Sequence, residues 1–495
     1  MLSLLAIVLL SPAMSACAES LSGNLDHYYV ALSHDREMNG NVAVSEHGKI
    51  VYRRSFGFRD MDSHVANDVR SEFELASVSK LFTATAVLQL KERGRIDLDT
   101  PFQHYFPEFP YGKITIRHLL SHTSGLPDIE ELIDPLLKED PQKQFTIHDD
   151  MAAIIAYSQG HQLLFEPGER WGYSSAGYHL LALLIEKISG QSLPNYLRDH
   201  VFRPADMTHT FVQTAMPQKN DPLRTKTYQY SNHFEMKLQL MDTLSDWKEW
   251  TYNLALMTGG SGIISTSGDM LLFDTALYEG RLLKPQTLEE AYTPYRLNNG
   301  NAAAPSDLTY CGLGWFIFKD RTNGRVVWGA GSNPGLISFF ARNLDHKQAI
   351  VVLHNVKCDP HVDTKALDIL HGERVTYRTS LAFIYAQDIF TKGSDYATSH
   401  FEELKPDTVH YQLSESDLDR ASLEFRRIGL KSQALAVCLR HVESFPESAD
   451  GHKDYAATLA QYGRKEEAIL QYKKVLELHP DDTESRKKLE TLTGS

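Results

Sequence analysis

The chain has 495 residues with a formal net charge of −14, and 42% of its residues are hydrophobic. This length predicts about two or three domains, with cores large enough to need neither a metal nor a disulfide. The acidic balance argues against a broad nucleic-acid-binding surface, which requires clustered lysine and arginine. Three scattered cysteines, Cys311, Cys358 and Cys438, lack metal-ligand spacing and are interpreted as buried thiols.

Residues 1–18 are typical of an export leader. The apolar run from Leu2 to Leu10 is too short to span a bilayer and fits the hydrophobic region of a signal peptide. Two processing schemes are open: cleavage beside the small residues around Ala16, or a lipobox that would make Cys17 a lipidated N-terminus. We therefore expect an exported protein, either periplasmic or anchored to the membrane as a lipoprotein.

Strand-like segments lie near both ends of residues 19–375, with a long helical stretch between them. The predicted strands are Asn41–Ser45, Ile50–Phe56, Val326–Trp328, Leu336–Arg342 and Ala349–His354. The predicted amphipathic helices are Ser79–Arg93, Gly177–Ile188 and Asp269–Tyr278. A separating segment is expected at Gly331–Gly335. Strands from both ends of a chain can close one antiparallel sheet with a helical insertion beside it, which predicts an α+β fold.

The C-terminal part, 412–495, has a different composition, rich in alanine, leucine, glutamate and lysine. Ala434 and Ala468 lie 34 residues apart, as do Pro446 and Pro480, which is the tetratricopeptide period. We expect about two helical repeats there, joined to the first domain by a helical linker at 376–411. A generic helical extension is the alternative. Repeats of this kind bind a peptide or protein partner along their concave face.

Ser77 and Lys80 stand three residues apart at the start of a long apolar helix. This spacing places both side chains on one helical face. A serine hydroxyl needs a neighbouring base to act as a nucleophile, and the N-terminus of a helix favours a developing oxyanion. The same spacing at Ser245/Lys248 and Ser485/Lys488 lacks an apolar helix behind it. A helix-capping serine is the alternative interpretation of Ser77.

Several ordered stretches resemble the serine β-lactamase and penicillin-binding superfamily, in its class C-like branch. They are FELASVSKLFTATAVLQL at 73–90, GRIDLDTPFQHYFPEF at 94–109, ITIRHLLSHTSGLPD at 114–128, FEPGERWGYSSAGYHLLALLIEKISG at 165–190, TGGSGIISTSGDMLLF at 258–273, YCGLGWFI at 310–317 and NPGLISFF at 333–340. The resemblance runs from about Asn41 to about Asn355. It implies a β-lactamase/transpeptidase-like antiparallel sheet flanked by helices, with a helical subdomain.

The resemblance also implies roles for single residues. Ser77 corresponds to the acylated nucleophile, Lys80 to its activating neighbour, and Tyr173 to the tyrosine that relays a proton. Ser175 replaces the asparagine that the branch usually carries two residues after this tyrosine. Substrate amide recognition is therefore in question, since serine offers one donor in place of two.

The third motif of the branch, Lys-Thr-Gly or His-x-Gly, departs further. One register places it at Gly329-Ala330-Gly331, without a cation. The adjacent and preferred register, Trp328-Gly329-Ala330, resembles the Trp-Gly-Gly of family VIII carboxylesterases and implies an apolar wall for a neutral acyl group. The second oxyanion donor is then the backbone N–H of Gly331 or of Ser332.

Three functions follow from the resemblance. The leading prediction is a carboxylesterase. The first alternative is a D-alanyl-D-alanine carboxypeptidase or β-lactamase, in which Arg342 or Arg325 would replace the missing cation. The second is a non-catalytic peptide- or protein-binding member that uses the repeats. The chain lacks the Gly-x-Ser-x-Gly, Walker A and His-Glu-x-x-His motifs, and His118 and His122 are interpreted as structural. We therefore expect no cofactor and no metal.

Overall fold

The computed structural model describes residues 20–214, 221–244, 257–320, 322–356, 361–373 and 375–494. The leader with Cys17, the Ser245/Lys248 pair and Cys358 lie outside these ranges. No helix within the ranges is both long and apolar enough to cross a membrane.

Strands and helices are interspersed along the first domain, whereas the C-terminal part is mainly helical. The strands are β1 (Gly40–Glu46), β2 (Lys49–Phe56), β3 (Phe58–Asp60), β4 (Val65–Ala66), β5 (Phe73–Glu74), β6 (Phe211–Val212), β7 (Tyr228–Tyr230), β8 (Leu238–Leu240), β9 (Ile263–Ser265), β10 (Thr309–Cys311), β11 (Phe316–Phe318), β12 (Val326–Asn333), β13 (Leu336–Asn343), β14 (Gln348–His354), β15 (Thr379–Ser380) and β16 (Tyr411–Gln412). The helices are α1 (Leu21–His34), α2 (Lys80–Glu92), α3 (Ile116–Leu120), α4 (Ile129–Glu139), α5 (Ile147–Ser158), α6 (Ser175–Ser189), α7 (Leu193–Leu197), α8 (Ser267–Tyr278), α9 (Pro285–Ala291), α10 (His361–Leu370), α11 (Leu381–Lys392), α12 (Ser394–Leu404), α13 (Glu415–Arg427), α14 (Lys431–Ser444), α15 (Ala449–Gln461), α16 (Lys465–Leu478) and α17 (Thr483–Thr493).

The predicted closure of one sheet by both ends of the first domain is confirmed. In the described part of the chain, seven strands form an antiparallel sheet in the order β10-β11-β12-β13-β14-β1-β2. Val42 of β1 lies opposite Val352 of β14, although about 300 residues separate them. Every residue of β13 and β14 is buried, because helices cover both faces of the sheet. The α+β architecture predicted from the sequence is therefore confirmed.

Strand β12 extends further than predicted. The sequence indicated a separating segment at Gly331–Gly335, but β12 continues to Asn333, and the β12–β13 turn is formed by Pro334 and Gly335 alone. The reason is close backbone approach, since a Cβ on Gly331 would lie 2.3 Å from the Leu75 carbonyl oxygen. A glycine inside a strand often marks such an approach, so Gly331 is a packing position and not a turn residue.

Helix α2 is central and fully surrounded. The sequence predicted an amphipathic helix here, but every residue from Lys80 to Leu90 is buried. The ring of Phe82 lies between Phe202 and Phe273, at centroid distances of 5.6 and 4.5 Å. Because neighbours cover α2 on all sides, its polar residues must find partners inside the protein. Lys80 is one of them.

The C-terminal part of the chain is helical, and its helices pair in sequence as α13 with α14 and α15 with α16. Ala434 in α14 and Ala468 in α16 are both fully buried. Pro446 and Pro480 each follow directly after the residue that caps one of these two helices. The 34-residue spacing therefore falls on equivalent positions of two helical hairpins. The assignment to tetratricopeptide repeats, and the boundaries at 375 and 411, stay predictions.

His441 in this helical part makes stability depend on pH. Its ring is buried and forms ion pairs with Glu415 at 3.2 Å and Asp419 at 3.0 Å. Burial disfavours the charged imidazole, but the two carboxylates outweigh it, so the pKa of His441 is raised. The folded state therefore binds this proton more tightly than the unfolded chain does. The resulting stabilisation is complete below the ordinary pKa of about 6.5 and is lost as pH rises through the folded pKa.

We expect the unfolding temperature of the helical part to decrease as the pH is raised above the ordinary histidine pKa of about 6.5. Thermal melts followed by circular dichroism at several pH values measure this slope. His441→Gln should flatten it, because glutamine carries no proton that titrates in this range. An equal slope in the variant would contradict the assignment to His441.

Candidate active site

Ser77 lies in a 3₁₀ turn, Ala76–Ser79, that leads directly into α2. The preceding Leu75 is fully buried, and its N–H donates to the Ile263 carbonyl at 2.8 Å. Ala76 has a φ of 42°, and sparsely populated backbone regions of this kind cost about 1–3 kcal/mol. The turn thus buries its other side chains and presents the half-buried Ser77 to a cavity.

The Ser77 hydroxyl has two side-chain partners. Lys80 Nζ donates to Ser77 Oγ at 3.1 Å, and the Tyr173 hydroxyl donates to it at 2.8 Å. A helix-capping serine instead accepts a backbone N–H. The structure therefore brings together Ser77, Lys80 and Tyr173, although Ser77 and Tyr173 are 96 residues apart in the sequence. This geometry places a serine hydroxyl beside two groups that can exchange protons with it.

Lys80 is held from several directions. Its side chain is 5% exposed, and Nζ makes a second hydrogen bond to the Gly260 carbonyl at 2.9 Å. Nζ also lies 5.0 Å from the ring centre of Tyr173 and 5.6 Å from that of Tyr178. A Cβ on Gly260 would lie 2.9 Å from His179 Nε2. Gly260 was not predicted as a site residue, although the TGGSG stretch that contains it was the available signal.

His122 is a platform for Tyr173, a role that was not predicted from the sequence. The two rings stack with their centroids 4.5 Å apart at an angle of 24°. Burial, with the Lys80 charge adding to it, lowers the pKa of His122 to about 3. The ring is therefore neutral at physiological pH, and its Nδ1 accepts the Ser174 N–H at 3.3 Å. The backbone of His122 has a φ of 54°, which lies in the left-handed region.

Strand β12 runs directly past Ser77. A Cβ on Gly331 would lie 2.8 Å from the Ser77 nitrogen, so the two backbones are nearly in contact. Gly329 faces the same cavity, where a Cβ would lie 3.2 Å from Leu81. The N–H of Ser77 together with one from Gly331 or Ser332 can form an oxyanion hole at this point.

The prediction that Trp328 forms a wall of the acyl pocket is wrong. Adjacent residues of a strand point to opposite faces of the sheet, and Gly329 occupies the face toward Ser77. Trp328 therefore lies on the other face of the sheet. There its ring stacks on Phe318 with centroids 5.3 Å apart and packs against a second core cluster, which includes residues of α1. The register Gly329-Ala330-Gly331 fits the site better, and its first position carries no side chain.

Neither arginine considered as a replacement cation reaches the cavity. Arg342 is 1% exposed in the core, where its Nε pairs with Asp274 at 2.5 Å. Arg325 pairs with Glu289 at 2.6 Å, near the start of β12. Both guanidinium groups are thus engaged in structural ion pairs, and neither lines the cavity beside Ser77.

Ser175 begins helix α6 and is tied to a neighbouring loop. Its N–H donates to Asp128 Oδ1 at 2.6 Å, and the same oxygen accepts the Ile129 N–H at 2.8 Å. Asp128 therefore joins the starts of α4 and α6 through one carboxylate. Ser175 is half-buried near Tyr173, but it does not line the cavity beside Ser77.

The cavity is mainly apolar. Its apolar side chains belong to Leu81, Cys311, Trp315 and Phe316, and Ala330 of β12 borders it. Among the described lining residues, His122 is neutral, and Lys80 is engaged with Ser77 Oγ and the Gly260 carbonyl. Burial raises the pKa of the Cys311 thiol to about 12, so it is not a second nucleophile. An apolar cavity whose one lysine is already engaged with Ser77 and Gly260 suits a neutral acyl group better than a carboxylate.

The described residues contain no group of three His, Cys, Asp or Glu side chains that could hold a metal. His118 Nδ1 accepts the Thr115 N–H at 3.2 Å as part of a helix-capping box. His122 instead supports the ring of Tyr173. The two histidines thus have separate roles within the fold.

Tyr173→Phe tests the hydroxyl without removing the ring. The phenylalanine keeps the stack on His122 but loses the hydrogen bond to Ser77. We expect kcat to fall about 100-fold, because proton transfer by a positioned group contributes this much. The unfolding temperature should stay close to that of the unmodified protein. Steady-state kinetics with an activated ester measure the effect, and an unchanged kcat would remove Tyr173 from the mechanism.

Comparisons with known proteins agree with this geometry. Residues 26–372 match the beta-lactamase family. Penicillin-binding protein 4* of Bacillus subtilis (strain 168) is 32% identical over 346 residues, which cover 70% of this chain and 74% of that protein. The crystal structure of a penicillin binding protein from Bacillus halodurans covers 70% of this chain and 100% of its own, with a TM-score of 0.58 at 25% identity.

A further solved structure, EstCE1, is described as a hydrolase with promiscuous acyltransferase activity. It has a TM-score of 0.61 at 19% identity and covers 72% of this chain and 100% of its own. At that identity the likeness shows the fold alone. The region that matches the family contains Ser77, Lys80 and Tyr173, whereas the helical part from residue 415 onward lies outside it.

Proposed function

Since this chain belongs to the beta-lactamase family, whose members are serine hydrolases, we propose that it forms an acyl-enzyme on Ser77 and acts as a carboxylesterase. The observation that carries the acyl-enzyme is the pair of hydrogen bonds at Ser77 Oγ, at 3.1 Å from Lys80 and 2.8 Å from Tyr173. The preference for an ester rests on the apolar cavity.

The reaction proceeds in two halves. Ser77 Oγ bonds to the substrate carbonyl carbon while its proton passes to the Lys80–Tyr173 pair. The oxyanion that forms accepts hydrogen bonds from the Ser77 N–H and from an N–H of β12. Collapse breaks the ester C–O bond, and Tyr173 returns the proton to the leaving alcohol. Water then adds to the acyl-enzyme, releases the carboxylic acid and restores Ser77.

The preference for a neutral substrate follows from position 329. In the register Gly329-Ala330-Gly331, residue 329 is the first residue of the third motif, where the branch carries lysine or histidine. Here it is glycine, and a Cβ placed on it would meet Leu81. A substrate carboxylate would therefore find no partner from this position, whereas an uncharged acyl chain would contact Leu81 and Phe316.

The relatives named as penicillin-binding proteins support a second candidate. Penicillin-binding protein 4* is 32% identical to this chain, and that similarity favours a D-alanyl-D-alanine carboxypeptidase or β-lactamase. This candidate needs a cation for the substrate carboxylate. The third candidate, a non-catalytic binding protein, is disfavoured by the intact contacts among Ser77, Lys80 and Tyr173.

A substrate panel separates these candidates. The purified protein is assayed with p-nitrophenyl esters of graded chain length, an acylated D-Ala-D-Ala peptide and a chromogenic cephalosporin. We expect ester turnover that Ser77→Ala abolishes and that Ser485→Ala preserves, because Ser485 has the same Ser-x-x-Lys spacing but lies in α17. Turnover of the peptide or cephalosporin without the esters would establish the second candidate. Ser77→Ala with full turnover would refute the proposal.

We also propose that the protein is exported and that its helical tail, 412–495, binds a protein partner. Export is supported by the apolar run from Leu2 to Leu10, and lipidation of Cys17 by the preceding Met14-Ser15-Ala16. Metabolic labelling with a fatty-acid analogue, comparing the unmodified chain with Cys17→Ser, tests the lipid. Labelling that persists in the variant would place the lipid elsewhere.

A further inference from the structure

We propose that the hairpin of β7 and β8, residues 228–240, positions the oxyanion strand β12 and that the helical tail holds this hairpin in place through Phe234. We call residues 228–240 the linking hairpin. The inference rests on the proposed function of Ser77, because it concerns the strand that completes the site. It assigns the tail a part in catalysis besides any partner it binds.

The tip of the linking hairpin is buried in the tail. Phe234 is fully buried, and its ring stacks on Phe425 of α13 with centroids 4.1 Å apart at an angle of 16°. The ring of Phe390 lies 5.1 Å away. Among the described buried residues of this core cluster, Phe234 alone comes from the chain before residue 381. Phe234 is therefore an anchor contributed by the hydrolase domain to a core that the linker helices share with the tail.

His233 adds a polar contact beside the anchor. Its ring stacks on Phe383 with centroids 4.1 Å apart at 17°, and its N–H donates to Glu424 Oε2 at 2.9 Å. Its Nδ1 lies 2.5 Å from the other oxygen of Glu424. Asn232 Oδ1 accepts the Phe234 N–H at 3.2 Å and so shapes the tip. The tip is thus fixed to α11 and α13 by aromatic contacts and by hydrogen bonds of the His233 side chain and backbone.

Thr227 and Met241, which flank the linking hairpin and form its base, pack on the β12–β13 turn. A Cβ on Gly335 would lie 2.5 Å from Met241 Cγ and 3.0 Å from Thr227 Cβ. The base is closed by the Met241 N–H, which donates to the Thr227 carbonyl at 3.0 Å. Tyr228 N–H donates to the Asn355 carbonyl at 2.9 Å, which ties the base to the residue after β14. The base therefore fixes where β12 ends.

The segment before the hairpin reaches the other side of the site. The Glu72 N–H donates to the Leu223 carbonyl at 2.9 Å, and the Thr225 N–H donates to the Glu72 carbonyl at 3.0 Å. Glu72 stands five residues before Ser77. Residues 223–241 therefore contact both backbone segments that form the oxyanion hole. One is the segment that leads from Glu72 to Ser77, and the other is the end of β12. Since a misplacement of about 1 Å can cost about 100-fold in rate, small shifts here should lower kcat.

Phe234→Ala in the full-length protein tests the proposal. We expect kcat for an activated ester to fall about 10-fold with KM little changed, since the strand is displaced by less than about 1 Å. Amide hydrogen exchange in the peptide containing residues 331–337 should become faster. Phe234→Leu should restore both, because leucine also fills an apolar site. Phe401→Ala is the matched control, because Phe401 is buried in the same core cluster but belongs to α12 of the linker.

The outcomes separate three accounts. Faster exchange and lower kcat in Phe234→Ala but not in Phe401→Ala would establish the positioning role. Phe234→Ala with the same hydrogen exchange and kcat as the unmodified protein would overturn it. Equal changes in Phe401→Ala would also overturn it, because they would indicate general destabilisation of this core. If the unmodified protein shows no Ser77-dependent turnover, the proposed function fails, and the exchange measurement alone decides whether the tail holds β12.

Discussion

Replacing Lys80 with methionine is expected to lower kcat/KM for esters about 1,000-fold or more, the upper part of the range for general acid–base groups. Methionine retains an unbranched apolar side chain of similar length, so the packing inside α2 is largely kept. It loses the Nζ that donates to Ser77 Oγ at 3.1 Å and to the Gly260 carbonyl at 2.9 Å. Of its two side-chain partners, Ser77 would then keep Tyr173.

The measurement is pre-steady-state ester cleavage, which reports acylation separately from deacylation. Lys488→Met is the matched control, because Lys488 forms the other described Ser-x-x-Lys pair in α17 and should leave the rate unchanged. A thermal melt checks that the Lys80→Met protein is folded, since the Gly260 carbonyl loses its partner. A folded Lys80→Met protein that retains acylation within about tenfold would show that Lys80 is not part of the proton path.

Gly331→Ala should reduce kcat about 1,000-fold, the upper end of the cost of losing one oxyanion-hole donor. The added Cβ would lie 2.3 Å from the Leu75 carbonyl oxygen and 2.8 Å from the Ser77 nitrogen. Both partners are backbone atoms, so they cannot move aside as a flexible side chain would. Either β12 or the Ser77 turn must shift, and the two N–H donors then separate. KM should change much less than kcat, because the oxyanion forms only after binding.

Gly160→Ala is the control for the glycine substitution itself, since a Cβ at Gly160 has no neighbour within 4 Å. Steady-state kinetics and thermal melts of both variants test the expectation. A Gly331→Ala protein with normal kcat would mean that β12 supplies no donor to the oxyanion. If the Gly331→Ala protein does not fold, Gly329→Ala is tested in its place with esters of increasing acyl length. The atoms nearest to a Cβ at Gly329 belong to the Leu81 side chain, which can move aside.

The sheet and the three proposed catalytic residues were predictable because each is marked by a local sequence pattern. Hydrophobic strands at Asn41–Ser45 and Ala349–His354, near the two ends of the first domain, can close one antiparallel sheet, and they pair directly. Ser77, Lys80 and Tyr173 were found from motif spacing and family resemblance, and the structure joins them through direct hydrogen bonds. In both cases the information lies within a few residues of the position concerned.

The face of Trp328 was not predictable with the same means. A shift of one residue in a strand exchanges its two faces. The glycines at 329 and 331 and the alanine at 330 carry little side-chain information on which face meets Ser77. Only the packing of β12 against the Ser77 turn decides it, with Gly331 against Leu75. The role of Phe234 was hidden for a related reason, since its partner Phe425 lies about 190 residues away in another predicted domain.

The central claim is a covalent acyl group on Ser77. The most direct measurement is intact-protein mass spectrometry of an acid-quenched reaction with a slowly deacylating ester, followed by peptide mapping. We expect a mass increase of one acyl group, located in the peptide that contains Ser77 and absent from Ser77→Ala. An active protein that shows no adduct under any quench, or an adduct that persists in Ser77→Ala, would contradict it.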